Sequence, residues 1–235
     1  KMWQDVIWKN IILFVAYSLA SIRERVNNLR LIIPVIIRQC DRLYVNLVGH
    51  NQFPDELINN NIEVYEKQMT GSQVRFLDYH KDHDYYFTID DDILYPDNYT
   101  EYMLSKMNQY QNKAICCVHG SNIDLTKKKD YYKKKFTSIF HNELTQDKLV
   151  MFPGVGTSCF YKGKLELKSM DIDNISDVYV GLFAAQQRLS IICVSRKEGW
   201  LKRLDEFGKT IWKHNNHKAI DEIINRNKFL WAIKK

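Results

Sequence analysis

The chain has 235 residues, 45% of them apolar and 26% charged, with a net charge of +6. That is enough apolar material for a buried core and too ordinary a charge content for a chain disordered throughout, at a length suited to one large or two small domains. The positive balance suits an anionic small molecule, a phosphorylated donor or an acidic membrane surface, while no basic stripe with interleaved aromatics speaks for nucleic acid. The five cysteines, Cys40, Cys116, Cys117, Cys159 and Cys193, are odd in number and show no CxxC spacing. Three of them sit in apolar runs and read as buried free thiols, which speaks against a zinc site and for a reducing, cytoplasmic location. The longest apolar stretch, 11–22, is too short and broken to span a bilayer, and no secretory signal is visible. A start at Lys1 rather than Met reads as a chain trimmed from something longer.

In chain order, 11–18 reads as a buried strand. Residues 21–38 follow with helical spacing at Val26, Leu29, Ile33, Ile36 and Ile37, interrupted by Pro34. A second strand is predicted over 42–48, a loop with a short helix over 51–60, a third strand over 62–65, a helix over 73–79 and a strand over 85–89. A helix over 96–111 puts Tyr99, Met103 and Met107 on one face, and 113–118 is a further strand. Strands alternating with helices predict an α/β fold with a mainly parallel sheet. The order is less regular after residue 120. The basic run TKKKDYYKKK, 126–135, reads as a solvated, mobile loop, or else as a lid over an anionic donor or a contact of Lys127 to Lys135 with anionic lipid. A strand over 149–152, a turn through Pro153, Gly154, Val155, Gly156 and Thr157, and a strand over 158–161 come next. Ser176 is placed as the N-cap of a helix over 177–187. A strand over 191–194 and an amphipathic helix over 219–233 complete the pass.

The chemistry concentrates at Asp90, Asp91 and Asp92, directly after a strand-like run. Three adjacent carboxylates repel one another, and a hard divalent cation, Mn²⁺ or Mg²⁺, is the simplest counter-charge; it shares its ligand shell with substrate phosphates. In an extended segment Asp90 and Asp92 share one face, leaving Asp91 as an outward or structural member. The alternative is an acidic turn capping the strand end and the next helix. A strand before the triplet and a helix after it place it at the carboxyl edge of a sheet, where ligands gather in open α/β folds.

The segment YYFTIDDDILYPDNYTEYML resembles the GT-A type glycosyltransferases, the bacterial and viral family with a DDD-I-x-YP signature. Ala20-Ser21-Ile22-Arg23-Glu24-Arg25 is similar to that family's nucleotide-binding loop, A-S-I-P-E-R, and Asn46 to Pro54 to its loop ending in Pro. Gly154-Val155-Gly156-Thr157 is similar to its G-x-G-T turn, Ile175-Ser176-Asp177-Val178 with Ala184-Ala185-Gln186-Gln187 to its acidic helix start, and Arg196-Lys197-Glu198-Gly199-Trp200-Leu201 to its closing motif. These matches run in order over 11–201 and are jointly far more specific than any one alone. Two positions depart from the pattern: Arg23 stands where the family has Pro, and Gln73 where it has Lys, with Arg75 nearby.

The resemblance implies one GT-A domain, with 1–120 as the nucleotide-sugar-binding half and 121–235 as the acceptor-side half with its C-terminal helix. It implies metal-dependent, inverting transfer of a sugar from a nucleoside-diphosphate donor, UDP first, to a hydroxyl of a glycan or glycolipid in polysaccharide biosynthesis, in the cytoplasm or at the membrane surface. Ala20, Ser21, Arg25, Gln73, Arg75, Asp90, Asp91, Gly154 and Gly156 would contact the donor. Asp90 and Asp92 would hold the cation, with His217 as a third ligand, and Asp177 would be the catalytic base. Each has a plainer reading: Asp177 as support for a helix start, Arg25 as a surface arginine, Gly154 and Gly156 as a hairpin turn, and His214 and His217 as loop histidines. Trp200 and Trp212 either wall the acceptor site or pack in the core, and His119 is structural or lines the cleft. Two rival functions are a non-catalytic nucleotide-sugar or glycan-binding module and a metal-dependent nucleotidyltransferase; the latter has neither a GxGxxG loop nor a P-loop to support it.

Overall fold

Side chains that alternate along each strand supply two cores at once, one on either face of a single large sheet. In β4 (Tyr85–Asp90), Tyr85, Phe87 and Ile89 pack into one core and Tyr86 into the other. The computed structural model describes residues 13–67, 71–131, 135–172, 174–204 and 217–232. Four parallel strands form the first half of the sheet: β1 (Val15–Ile22), β2 (Arg42–Val48), β3 (Ile62–Lys67) and β4, in the order β3-β2-β1-β4. The sheet continues through β11 (Thr157–Tyr161), β6 (Ala114–Cys117), β12 (Ser190–Cys193) and β9 (Lys148–Val150). Of these, β11 and β9 run antiparallel to their neighbours, so the sheet is mixed and mostly parallel.

Helix α1 (Leu29–Ile36) and α2 (Tyr99–Gln109) cover one face, burying Leu29, Ile33, Tyr99, Met103 and Met107. Helix α3 (Ser176–Gln186), α4 (His217–Asn227) and α5 (Phe229–Ala232) cover the other with Val178, Phe183, Ile220, Ile224 and Trp231. Three short strands, β7 (Gly120–Asn122), β8 (Phe136–Ser138) and β10 (Phe152–Pro153), make a small second sheet, and β5 (Ile93–Leu94) pairs with β13 (Lys202–Arg203). The α/β class expected from the sequence is the one found. All five cysteines are free and four are buried. Among the described residues, no helix is long and apolar enough to cross a membrane.

Several local expectations are corrected. The first strand is not 11–18: it starts at Val15 and runs on to Ile22, because β4 pairs with it as far as Ala20 and β2 as far as Ile22, which keeps even Ser18 and Ser21 inside the sheet. Residues 11 and 12 lie outside the described residues. The helix expected over 73–79 is a 3-10 helix with shorter bounds, Ser72–Phe76. Ser176 does not cap α3: Ile175 holds the cap position, and the Ser176 hydroxyl is used instead by Ser72 Oγ at 2.5 Å. The strand–turn–strand at Gly154 is no hairpin, since β10 belongs to the small sheet and β11 to the large one.

Residues 132–134 of the basic run lie outside the described residues; Thr126 to Lys129 are exposed, as a solvated loop would be, but Asp130 and Tyr131 are tied down. The backbone N–H groups of Asp130 and Tyr131 donate to Asp221 of α4 at 2.8 and 3.1 Å, and the buried Tyr131 hydroxyl donates to Asn225 Oδ1 at 2.8 Å. Asp221→Ala is therefore expected to speed tryptic cleavage after the exposed Lys127, Lys128 and Lys129 several-fold, because two backbone donors lose their acceptor. Unchanged cleavage kinetics would show that α4 does not hold the segment.

Candidate active site

The carboxyl ends of the parallel strands meet at one sheet edge. In register, Ala20 pairs with Asn46 on one side and Asp90 on the other. A cavity of about 700 Å³ opens there, lined from both halves of the sequence by residues that include Ala20, Ile22, Val48, Asp90, Gly154 and Asp177. A smaller cavity of about 240 Å³ lies between α3, β9 and Trp231 and has no titratable side chain in its wall.

The acidic triplet is arranged by a turn, not by an extended strand. Asp90 ends β4, while Asp91 and Asp92 form the turn before β5. Asp91, expected to be an outward or a structural member, is the structural one and is buried: it accepts from Ile22 N at 3.2 Å and from Arg25 Nη1 at 3.0 Å, and its carbonyl accepts from Asn28 Nδ2 at 2.8 Å. Turning inward lets it order the start of the first helical segment. Arg25 Nη1 also lies 2.9 Å from Asp92 Oδ2, and Arg75 Nη2 lies 2.7 Å from Asp90 Oδ1. The counter-charges read from the sequence as a cation's task are thus shared by two buried arginines. Burial disfavours the Arg25 charge, but Asp91 and Asp92 outweigh it and raise its pKa. Burial pushes the Asp91 carboxyl up, against the pull of Arg25. Asp92 is pushed up to about 6, by burial first and the Asp90 charge next.

Tyr95 locks this triplet to the glycine turn. Its buried hydroxyl accepts from Asp90 N at 2.9 Å and donates to Gly156 O at 2.5 Å. The turn lies so close that a Cβ on Gly156 would stand 1.8 Å from Asp90 Oδ2, and one on Gly154 would stand 2.6 Å from His119 Cβ. Here the glycines serve close approach. Tyr95→Phe keeps the ring against Tyr99 but strands a backbone donor and acceptor. It is expected to lower unfolding free energy by about 1–3 kcal/mol, measured by chemical denaturation; a variant as stable as its parent would show that the hydroxyl ties nothing together.

Asp177 stands in the first turn of α3 and lines the same cavity. Lys135 is beside it: burial pushes the Lys135 ammonium down and Asp177 pulls it back up. Lys135, read from the sequence as part of a surface run, lines the cavity. So does Arg203, which the β13–β5 pairing carries over Ile93 and into the field of Asp92. Neither carries a local signal; one is hidden in a lysine run and the other in an unpatterned segment. His119 also lines the cavity and is held neutral, its pKa pushed down to about 3 by burial and then by Lys135.

Of the remaining expected site residues, Arg25, Arg75, Asp92, Gly154, Gly156 and His217 are in the cavity wall, and Ser21 and Gln73 are buried behind it. Ser21 Oγ turns to the carbonyl of Ile22. Trp200 does not wall the acceptor side; it packs on Tyr99 and Tyr102 of α2 and donates to Asn98 Oδ1 at 3.2 Å. Arg196, in the closing motif, is a buried clamp that donates to the carbonyls of Ile139, Asn142 and Val194. His214 and Trp212 lie outside the described residues.

As a cation site, Asp90 and Asp92 offer hard oxygen donors, and each has one oxygen outside its arginine pair. No group of three or more candidate ligands is assembled among the described residues. A Mn²⁺ or Mg²⁺ ion fits this pair if phosphate and water complete its shell, the usual arrangement for Mg²⁺.

No family model matches the chain, and no curated protein does. Solved structures do match. One is a crystal structure of residues 1–349 of S. aureus TarS in complex with UDP-GlcNAc; it aligns over 93% of this chain with a TM-score of 0.56 and 8% identity. This chain spans 66% of that one. The likeness is one of fold: a mostly parallel sheet flanked by helices, in a single domain, as the GT-A resemblance predicts.

Proposed function

We propose that the protein is a nucleotide-sugar glycosyltransferase, moving a sugar from a nucleoside-diphosphate donor, UDP first, to a hydroxyl of a glycan or glycolipid. The observation that carries this reading is the convergence of Asp90 and Asp92 with Asp177, which is distant in sequence, on one large cavity at the carboxyl ends of the strands. A fold shared with a structure that holds UDP-GlcNAc supports the choice of donor. Residues 1–120 supply most of the donor side, through Ala20, Ile22, Arg25, Val48 and Arg75, and Lys135, Phe140 and Asp177 face it from the acceptor side.

In this reading Asp177 takes the proton of the acceptor hydroxyl as that oxygen attacks the anomeric carbon. Asp177 stands in the first turn of α3 with Lys135 beside it. One base on the acceptor side suits a single displacement with inversion. Asp90 and Asp92 would hold Mn²⁺ or Mg²⁺, whose chemistry when bound is to neutralise charge on the leaving diphosphate. His217, at the start of α4, lines the same wall but is not grouped with Asp90 and Asp92, so phosphate and water would complete the shell. The exposed Lys127, Lys128 and Lys129 give a basic surface for acidic headgroups near a membrane-borne acceptor.

The test is a thermal-shift screen of nucleotide sugars with Mn²⁺, followed by assay of UDP release. A rise in melting temperature with a UDP-sugar, and UDP release that depends on acceptor, are the expected results. Binding with no turnover on any acceptor would leave a binding module; no shift with any nucleotide sugar would overturn the reading.

A further inference from the structure

Cys117 ends β6 and Cys193 ends β12, and the parallel register sets them directly side by side. Both side chains enter the core covered by α3, while that of Cys116 enters the other. Neighbouring strands lie about 4.8 Å apart, inside the range of about 4.4–6.8 Å between Cα atoms that a disulfide spans. Two thiols on one face of adjacent strands can therefore be joined with little movement of the backbone.

Arg196 makes the pair unequal. Its Nη1 donates to Cys193 Sγ at 3.3 Å. Arg196 is itself buried, and its other side-chain partners among the described residues are the carbonyls of Ile139, Asn142 and Val194. Carbonyls accept hydrogen bonds but do not neutralise a guanidinium. The carboxylate that reaches this corner, Asp147, accepts from Ser195 N and is paired with Lys106 at 2.9 Å. A buried charge without a counter-charge is costly, and an ionised Cys193 supplies one. As a thiol, Cys193 donates to Val118 O at 3.4 Å; as a thiolate it forgoes that bond and accepts from Arg196 and Cys117. The hydrogen bond from Cys117 and the Arg196 charge pull the Cys193 thiol down against burial, whereas burial pushes Cys117 up. Burial also pushes up Cys40, Cys116 and Cys159.

We propose that Cys193 and Cys117 form a peroxide-reactive dithiol, with Cys193 as the attacking thiolate and Cys117 as the resolving thiol. The Cys193 sulfur attacks one oxygen of hydrogen peroxide and the O–O bond breaks. The sulfur is oxidised to a sulfenic acid, and the other oxygen takes a proton from solvent and leaves as water. The Cys117 sulfur then attacks the sulfenic sulfur. The S–S bond forms, and the hydroxyl leaves with the Cys117 proton as a second water. Both thiols are fully buried, so the site admits an oxidant close to water in size and excludes a bulky disulfide. Oxidation also takes from Arg196 its anionic partner. Arg196 holds the carbonyls of Ile139 and Asn142, and Ile139 and Phe140 line the large cavity. None of this depends on what that cavity binds.

The experiment treats the full chain with hydrogen peroxide and maps its thiols over time by alkylation after unfolding and mass spectrometry. A Cys117–Cys193 disulfide is expected, formed at least tenfold faster than any oxidation of the equally buried Cys159 or of the half-buried Cys40. In Cys117→Ser, dimedone should trap a sulfenic acid at Cys193; in Cys193→Ser, none should form at Cys117. Amide hydrogen exchange over 139–142 should rise several-fold on oxidation and return on reduction. Oxidation of Cys40 first, or of Cys193 no faster than Cys159, overturns the proposal on the parent protein alone. A sulfenic acid at Cys117 in Cys193→Ser overturns the assignment of roles, and unchanged exchange over 139–142 overturns the link to the cavity wall.

Discussion

Asp92→Asn is expected to abolish sugar transfer and, at neutral pH, to make the protein more stable. The Asp92 carboxyl is pushed up to about 6 by burial and by Asp90, and Arg25 only partly offsets them. Its value in an unfolded chain is about 3.9. The fold therefore favours the protonated form: the stability this group contributes is full below about pH 4 and is lost as pH rises through about 6. Asparagine resembles the protonated acid and keeps that contribution at pH 7.5. The gain is about 1–2 kcal/mol, less than the whole shift implies because the Arg25 contact at 2.9 Å is weakened. Denaturant melts at pH 4 and pH 7.5 should show the difference between variant and parent only at the higher pH. Transfer, assayed as UDP release, should fall about 10³-fold, the effect of losing several kcal/mol of charge stabilisation at the leaving group. Parent-like transfer would remove Asp92 from the metal role. A variant less stable than its parent at pH 7.5 would show that the Arg25 pair outweighs the crowding of carboxylates.

Asp177→Asn should lose transfer by about 10²–10⁴-fold, the usual contribution of a positioned general base, while binding UDP within a few-fold of the parent. Asn keeps the size of the side chain and its place in the first turn of α3 but cannot take a proton. In this reading Asp177, whose charge acts on Lys135, serves the acceptor and not the donor. Loss of UDP binding in parallel with transfer would make Asp177 a donor-side or structural residue. Unaltered transfer would exclude it as base.

Much of the frame was legible locally. The strand predicted over 42–48 is found over those same residues, and the strand over 85–89 extends only one residue further, to Asp90. Tyr99, Met103 and Met107 lie fully buried along one face of α2. A period of two and a spacing of three to four depend on nothing beyond the segment itself. Local patterns failed where a distant partner decides. Ser18 looks like the end of a strand and Ser21 like the start of a helical stretch, but both lie in β1: Ser18 is paired on both sides and Ser21 with Leu47 of β2. Ser176 has the composition of a cap, but a hydroxyl from Ser72 claims it.

The candidate site divides along the same line. By itself, the sequence determined that three carboxylates end a strand, that glycines follow in a turn and that an aspartate begins a later helix, since these are properties of neighbouring residues. Only the tertiary structure decided that Asp91 turns inward, that Arg25 and Arg75 hold the triplet's charge, and that Lys135 and Arg203 enter the same cavity. Those pairings join residues brought together by strand order and by the β13–β5 ladder. Electrostatic partnership depends on distance in space, and a charge carries no mark in sequence of the partner it will meet.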